Sequence, residues 1–320
     1  MSALEAEKQE HIMGKHVIVG AGQVGRQAAE MLDAQGHEVV LVSRSGSGPE
    51  HITKIAADAS DADALGRAAR GADVLYNCVN PKYHRWPTDW PPIASAILRT
   101  AEANSAVLAM VGNLYSYGPV DVMTEDLPLA GTGHKARVRA EMWRQVLASH
   151  EAGRIRGTEV RGSDYFGPGS TDQAYLSMQV IGPVAAGKRA VVLSDPDIPH
   201  SWTYLPDVAR ALVIAGTDER AWGRPWHVPT TPPLTIRQVA ERVATLAGAR
   251  SPRITEIPVW GVNVLGLFMP FMRELRETRY QFDRPFVLDS SAFQKTFGVA
   301  PTPIDEALKA SMQHLATQTR

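Results

Sequence analysis

Apolar residues in this chain come in short blocks whose internal spacing alternates between two periods. Val17-Ile18-Val19 is a compact apolar run. Beyond it Val24, Ala28, Met31 and Leu32 recur at i, i+4, i+7 and i+8, one face of a helix that Gly36 is placed to close. Val39-Val40-Leu41-Val42 then reads as a buried strand. Strand, glycine turn, helix and strand make a βαβ unit with a right-handed crossover and a parallel pair.

The alternation continues for 160 residues. Further strands are predicted at Ile52–Ala57, Val74–Val79, Ala106–Val111 and Thr158–Gly162. Helices are predicted from Ser60 to Arg70, over Pro92–Ala103 and over Lys135–His150. Ser60 and Asp63 form a capping-box-like start for the first of these, and Gly71 ends it. The second half is less regular. Ala190–Leu193 and Trp226–Val228 read as short strands, and Pro206 sits well as the first residue of a helix to Ala215. Thr235 and Gln238 make a capping box ahead of Val239, Val243 and Leu246, and Thr302-Pro303 opens a last helix.

The pattern predicts an α/β, Rossmann-like doubly wound parallel sheet with a smaller C-terminal substrate-binding domain. The expected divisions are a flexible N-terminal tail over 1–14 and a dinucleotide-binding domain over 15–165 plus about 190–230. The substrate-binding domain is expected over about 166–189 plus 231–320.

Composition narrows the picture. At 44% apolar and 21% charged the chain is globular, and 33 basic against 34 acidic residues give no pull toward nucleic acid or a membrane surface. Cys78 is the one cysteine, so no internal disulfide forms, and its apolar strand predicts a buried, unreactive thiol. The polar start lacks a signal-like apolar region, and the apolar stretch Ile257–Met272 is broken by Pro258, Asn263 and Pro270, a poor membrane span. A cytoplasmic location is expected. The stretch itself reads as core by default. Arg273, Arg276 and Arg279 fall near one helix face among acidic residues, followed by Arg284, more a salt-bridged surface than a phosphate clamp.

Chemistry enters at Gly20-Ala21-Gly22-Gln23-Val24-Gly25. A dinucleotide diphosphate needs backbone amides aimed at it with no side chain in the way: Gly20 for the tight turn, Gly22 for close approach, Gly25 for helix–strand packing. Gln23 and Val24 offer the first amides of the helix. At the end of the second strand a carboxylate would bind the ribose 2′-hydroxyl of NAD; this chain has Ser43-Arg44-Ser45. An arginine fork with serine hydroxyls there suits a 2′-phosphate, so NADP with NADPH preferred over NADH is the predicted cofactor. Asp58 is a candidate for the adenine edge, and Asn77 and Asn80 lie where the crevice should open.

Several segments resemble the short-chain dehydrogenase/reductase superfamily in its extended, NAD(P)-dependent epimerase/dehydratase-like form. Asn113-Leu114-Tyr115-Ser116-Tyr117-Gly118 is similar to that family's Ser-Ser-x-x-Val-Tyr-Gly segment. Arg161-Gly162-Ser163-Asp164-Tyr165-Phe166-Gly167-Pro168-Gly169 is similar to its R-x-x-N-x-Y-G-P-G run. His200–Ala209 is similar to its R-D-F-x-x-V-x-D-V-A segment, and Pro233-Leu234-Thr235 to the start of a substrate-domain helix. The departures are large. The glycine spacing differs from the extended G-x-x-G-x-x-G, Asn113 occupies the catalytic serine or threonine position, and Tyr-x-x-x-Lys is absent, with Lys135 and Arg139 in the best matching register. The resemblance is therefore to atypical members.

In that family a tyrosine passes a proton to or from the substrate oxygen while a lysine lowers its pKa. A substitute here needs a proton donor within hydrogen-bond reach of the substrate. Tyr115 and Tyr117 are the candidate donors, Asn113 a hydrogen-bond donor to a developing oxyanion, and Lys135 a holder of the ribose or a modulator of a tyrosine. His84, in the loop after the fourth strand, and His200 are secondary candidates. The reading that follows is an NADP(H)-dependent oxidoreductase or epimerase-like enzyme acting on a small carbonyl or hydroxyl compound. The alternatives are a redox-sensing NADP(H)-binding regulator, or an isomerase or cyclase without net redox change. The resemblance implies a homodimer through the helices at 92–103 and 135–150.

Overall fold

The computed structural model describes residues 14–170, 174–193, 195–257 and 277–318. The tail expected over 1–14, all but the first residue of the apolar stretch Ile257–Met272, and Arg273 and Arg276 lie outside the described residues, Gly14 excepted.

Seven parallel strands form the central sheet: β1 (Lys15–Val19), β2 (Glu38–Ser43), β3 (Thr53–Ala56), β4 (Val74–Asn77), β5 (Val107–Asn113), β7 (Arg156–Gly162) and β11 (Pro225–His227), in the order β3-β2-β1-β4-β5-β7-β11. Between β5 and β7 lies the short β6 (Val122–Met123). Chain order reverses where β1 pairs with β2 on one side and β4 on the other, and a crevice opens beyond the carboxyl ends at such a point.

Strands buried on both faces explain the unbroken apolar runs. Ile18, Leu41, Tyr76 and Ala109 face α1 (Gln23–Ala34), α6 (Leu205–Thr217) and the helix Ser291–Phe297. Val17, Val19, Leu75 and Met110 face α2 (Ala62–Ala68), α3 (Trp86–Asn104) and α4 (His134–Glu151).

A separate core gathers Phe166, Leu176, Val180, Val192, Trp202, Ile236, Val243 and Leu308. It is built on β8 (Asp164–Phe166) paired with β10 (Trp202–Tyr204), and on β9 (Ala190–Val192) paired with β12 (Ile254–Glu256). The short α5 (Gly182–Ala185), α7 (Ile236–Leu246) and the last helix, Ile304–Gln318, enclose it. In α7 the capping box is made in both directions: the Thr235 hydroxyl accepts from the Gln238 amide at 3.1 Å and the Gln238 carbonyl oxygen from the Thr235 amide at 2.9 Å. A final strand, β13 (Val287–Leu288), pairs with β6.

Three expectations change. α2 is capped by Asp61, whose carboxylate accepts from the amides of Asp63 and Ala64, while Ser60 bonds Asp58. α3 begins six residues before Pro92, with Pro91 and Pro92 inside it, because Trp86 and Trp90 are buried there. The strand at 190–192 packs in the separate core, away from the central sheet, and Phe293 packs with the sheet.

Candidate active site

At the mouth of β1, Gly20 has φ +111°, and a Cβ there would lie 2.7 Å from the backbone of Cys78 on β4's exit. Gly25 is as constrained: a Cβ would meet the Gly20 carbonyl oxygen. Gly22 differs. It caps α1 with no side-chain hydrogen bond, and a Cβ built on it meets nothing within 4 Å. The space beside Gly22, where α1 starts, is thus open, which fits the approach of a diphosphate to a helix N-terminus. The Val24 side chain turns into the core, so its amide alone is available to a ligand. The carbonyl of Gln23 accepts from the Gln27 amide nitrogen, which also reaches the Pro168 carbonyl at 3.0 Å and ties α1 to the loop after β8. Burial pushes the thiol of Cys78 up to about 12.

Beyond β2 the Ser43 hydroxyl is used within its own loop, accepting from the Ser47 amide at 3.1 Å. Arg44 is exposed, and its charge acts on the Asp58 and Asp89 carboxylates. Arg26, one residue past the glycine turn, was not singled out by sequence. Its Nε donates to the Ala21 carbonyl at 2.9 Å and its Nη2 reaches the Ser47 hydroxyl at 3.4 Å, with Ser45 bonded to Ser47 at 2.9 Å. The Arg26 guanidinium and the Ser45 and Ser47 hydroxyls therefore meet just past the end of the second strand, where Arg44 is next in sequence. Asp58 is exposed, and bonds from the Ser60 hydroxyl and amide hold its carboxyl below the usual range. Asn80 is exposed; Asn77 is buried and accepts from the Val79 amide at 3.2 Å.

The half-buried Asn113 ends β5, its side-chain oxygen accepting from the Tyr115 amide at 3.2 Å. The Tyr115 hydroxyl is 2.9 Å from that of Tyr83, and burial drives it well above the ordinary phenol range, reinforced by Tyr83 and Asp164. Burial raises Tyr83 as well. Lys135 reaches this pair from α4: its ammonium lies 5.6 Å over the Tyr83 ring and 3.4 Å from the Glu277 carboxylate. Arg139, one turn on, is clamped between the indoles of Trp86 and Trp90 at 4.7 and 4.6 Å and donates to the Val111 carbonyl. The clamp holds the first turn of α3 against α4. His84 is exposed, and its neighbour Tyr83 takes the inward place.

Tyr117 stands apart from the crevice. Its side chain is buried and its hydroxyl lies 2.8 Å from both Arg161 Nη1 and His227 Nε2. Arg161 in turn pairs with the buried Glu159 at 2.7 Å, so Tyr117 belongs to a closed network behind β5 and β7. That commitment argues against the expected proton-donor role.

Sequence reasoning also passed over Asp164, at the start of β8. Its carboxylate lies 2.7 Å from His200 Nε2, while His200 Nδ1 faces the Gln281 carbonyl at 3.2 Å. Register pairs Asp164 with Trp202, two residues past His200, a contact that no local pattern reveals. Among the described residues no group of three or more His, Cys, Asp or Glu could hold a metal ion, and no helix is long and apolar enough to cross a membrane.

The profile of the NAD dependent epimerase/dehydratase family matches residues 16–228. The chain belongs to this enzyme family. It is similar in fold to UDP-glucose 4-epimerase from Thermus thermophilus, solved with NAD, at TM-score 0.77 and 17% identity, covering 94% of this chain and 99% of that one. UDP-glucuronic acid 4-epimerase from Bacillus cereus, solved with UDP-glucuronic acid and NAD, gives 0.76 and 15%, covering 95% and 99%. The dTDP-glucose 4,6-dehydratase from Bacillus anthracis, solved with NAD, gives 0.75 and 15%, covering 95% and 97%. No curated protein matches the sequence.

Proposed function

We propose that the chain is an NADP(H)-dependent oxidoreductase or epimerase-like enzyme acting on a small carbonyl or hydroxyl compound, with an active site that dispenses with Tyr-x-x-x-Lys. The observation that carries the reading is the end of β2. Ser43-Arg44-Ser45 stand there with no acidic residue among them, and Arg26 reaches the Ser45–Ser47 hydroxyl pair. A carboxylate would repel a 2′-phosphate; two guanidiniums attract one. The amides opening α1 beyond Gly22 would hold the diphosphate, and Asp58 the adenine edge. A bound nicotinamide nucleotide supplies hydride exchange. The chain's own part is to orient a substrate oxygen with the Tyr115 and Tyr83 hydroxyls and the Asn113 amide, and to keep Lys135 beside them. The sugar-nucleotide substrates named for the similar structures favour a hydroxyl-bearing substrate.

The Lys135–Glu277 ion pair, standing where the family's tyrosine would be, favours the second reading, a cofactor-binding redox sensor. NADPH absorbance followed over a panel of carbonyl compounds separates the two. The enzyme reading predicts consumption with NADPH well ahead of NADH; binding of both redox forms with no turnover favours the sensor. We also propose a homodimer through α3 and α4, which sedimentation tests.

A further inference from the structure

We infer that Asp164, backed by His200, takes and returns the substrate's hydroxyl proton in the crevice, the task a tyrosine–lysine pair performs in the resembling family; the inference rests on the cofactor reading above.

The argument begins with hydrogen-bond bookkeeping. A carbonyl oxygen can only accept, so the 3.2 Å contact to Gln281 puts a proton on His200 Nδ1. The 2.7 Å contact between Nε2 and the Asp164 carboxylate needs a second proton between them. Asp164 is a quarter exposed and His200 nearly sealed at 3%, so the carboxylate lies outward and the ring lies behind it, each ring nitrogen aimed at an acceptor. A proton acceptor held from behind by a hydrogen-bond donor is the arrangement that tyrosine and lysine make in the resembling family.

The surroundings hold this pattern in place. His200 is boxed by aromatic rings, Trp202 at 4.1 Å, Phe282 at 5.1 Å and Phe286 at 5.2 Å, which hold its Nε2 edge on Asp164. The charge of Asp164 acts on Tyr83, Tyr115 and Tyr280. The other crevice groups are poorly suited to proton transfer. Burial holds both crevice tyrosines above the ordinary phenol range, Lys135 is ion-paired, and Arg139 is a permanently charged group clamped by indoles. Asp164 and His200 also stand at the positions of the family's asparagine and arginine, so two departures meet at one contact.

In the oxidising direction the substrate O–H bond breaks with its proton passing to Asp164. The hydride of the C–H bond would pass to a bound oxidised nicotinamide nucleotide, and the electron pair left on oxygen would close the C=O bond. Reduction returns proton and hydride. His200 keeps its protons throughout and acts as a positioning residue.

Nitrogen-15 NMR of the ring of His200, assigned by its loss in His200→Gln, tests this in the full chain, with calorimetry on the same samples. Both ring nitrogens should be protonated at neutral pH in the wild type. Asp164→Asn should remove the Nε2 proton and leave Nδ1 protonated. Adding NADP⁺ should move the ring resonances differently from NADPH, because the nicotinamide charge differs. A wild-type ring with one proton, a ring unchanged by Asp164→Asn, or identical resonances with the two bound redox forms overturns the inference while leaving cofactor binding intact. No heat with either nucleotide overturns the cofactor reading, and the inference with it.

Discussion

Tyr83 and Tyr115 share a hydrogen bond 2.9 Å long, hydroxyl to hydroxyl, although 32 residues separate them in sequence. The bond joins the loop after β4 to the turn after β5, on either side of the crevice. Both hydroxyls are neutral at physiological pH, so their chemical use is to donate hydrogen bonds to a substrate oxygen. Tyr115→Phe should lower turnover about ten- to a hundredfold while leaving NADPH affinity within about twofold. Equal kcat in mutant and wild type, measured on any carbonyl compound the protein reduces, would remove Tyr115 from the site.

Arg44 follows β2 and Arg26 lies on α1, so on the proposed cofactor reading their contributions to the adenosine end should be separable. Arg44→Ala and Arg26→Ala should each weaken NADPH about ten- to a hundredfold, the worth of one charge-assisted hydrogen bond. NADH affinity should stay within about twofold. Fluorescence titration with both nucleotides checks this, and equal losses for the two nucleotides would contradict it.

The glycines of the turn do different work. Gly22→Ala should keep the wild-type Tm, since its Cβ meets nothing, yet lose at least about tenfold in cofactor affinity because that methyl enters the diphosphate's space. Gly25→Ala should lower Tm sharply, because its Cβ collides with the Gly20 carbonyl. Thermal melts with and without NADPH distinguish the two.

Much of this turn was legible in sequence because its signals are local: a glycine spacing, a helical face, a strand on each side. The start of α3 was not: the sequence pattern opens the helix at Pro92, whereas it begins at Trp86. Its first turn is held by Arg139 from α4, a contact about fifty residues away. Tyr115 could be nominated from its strand end, but Tyr83 needed the fold to meet it. Tyr117 looked equivalent to Tyr115 two residues earlier, and only burial against Arg161 and His227 separates them. The Asp164–His200 contact depends on β8 pairing with β10, which no periodicity predicts.

Acid should destabilise the fold in a defined window. Burial lowers His16 and His227 from the ordinary 6.5 to about 4 in the native state. The unfolded chain therefore binds these protons first, and stability falls as pH drops from about 6.5 toward 4, by roughly 3 kcal/mol for each histidine over the whole window. Urea unfolding at a series of pH values should show uptake of about two protons on unfolding in this window, and His16→Gln should remove about one. Stability independent of pH there would contradict the burial of both imidazoles.

The central claim is that the amides beyond Gly22 and the guanidiniums at the end of β2 hold a 2′-phosphorylated dinucleotide. Isothermal titration calorimetry of the purified chain with NADPH and NADH tests it most directly. The account predicts a saturable exotherm near one nucleotide per chain, with NADPH at least about tenfold tighter than NADH. No heat with either nucleotide, or NADH bound as tightly as NADPH, would contradict it.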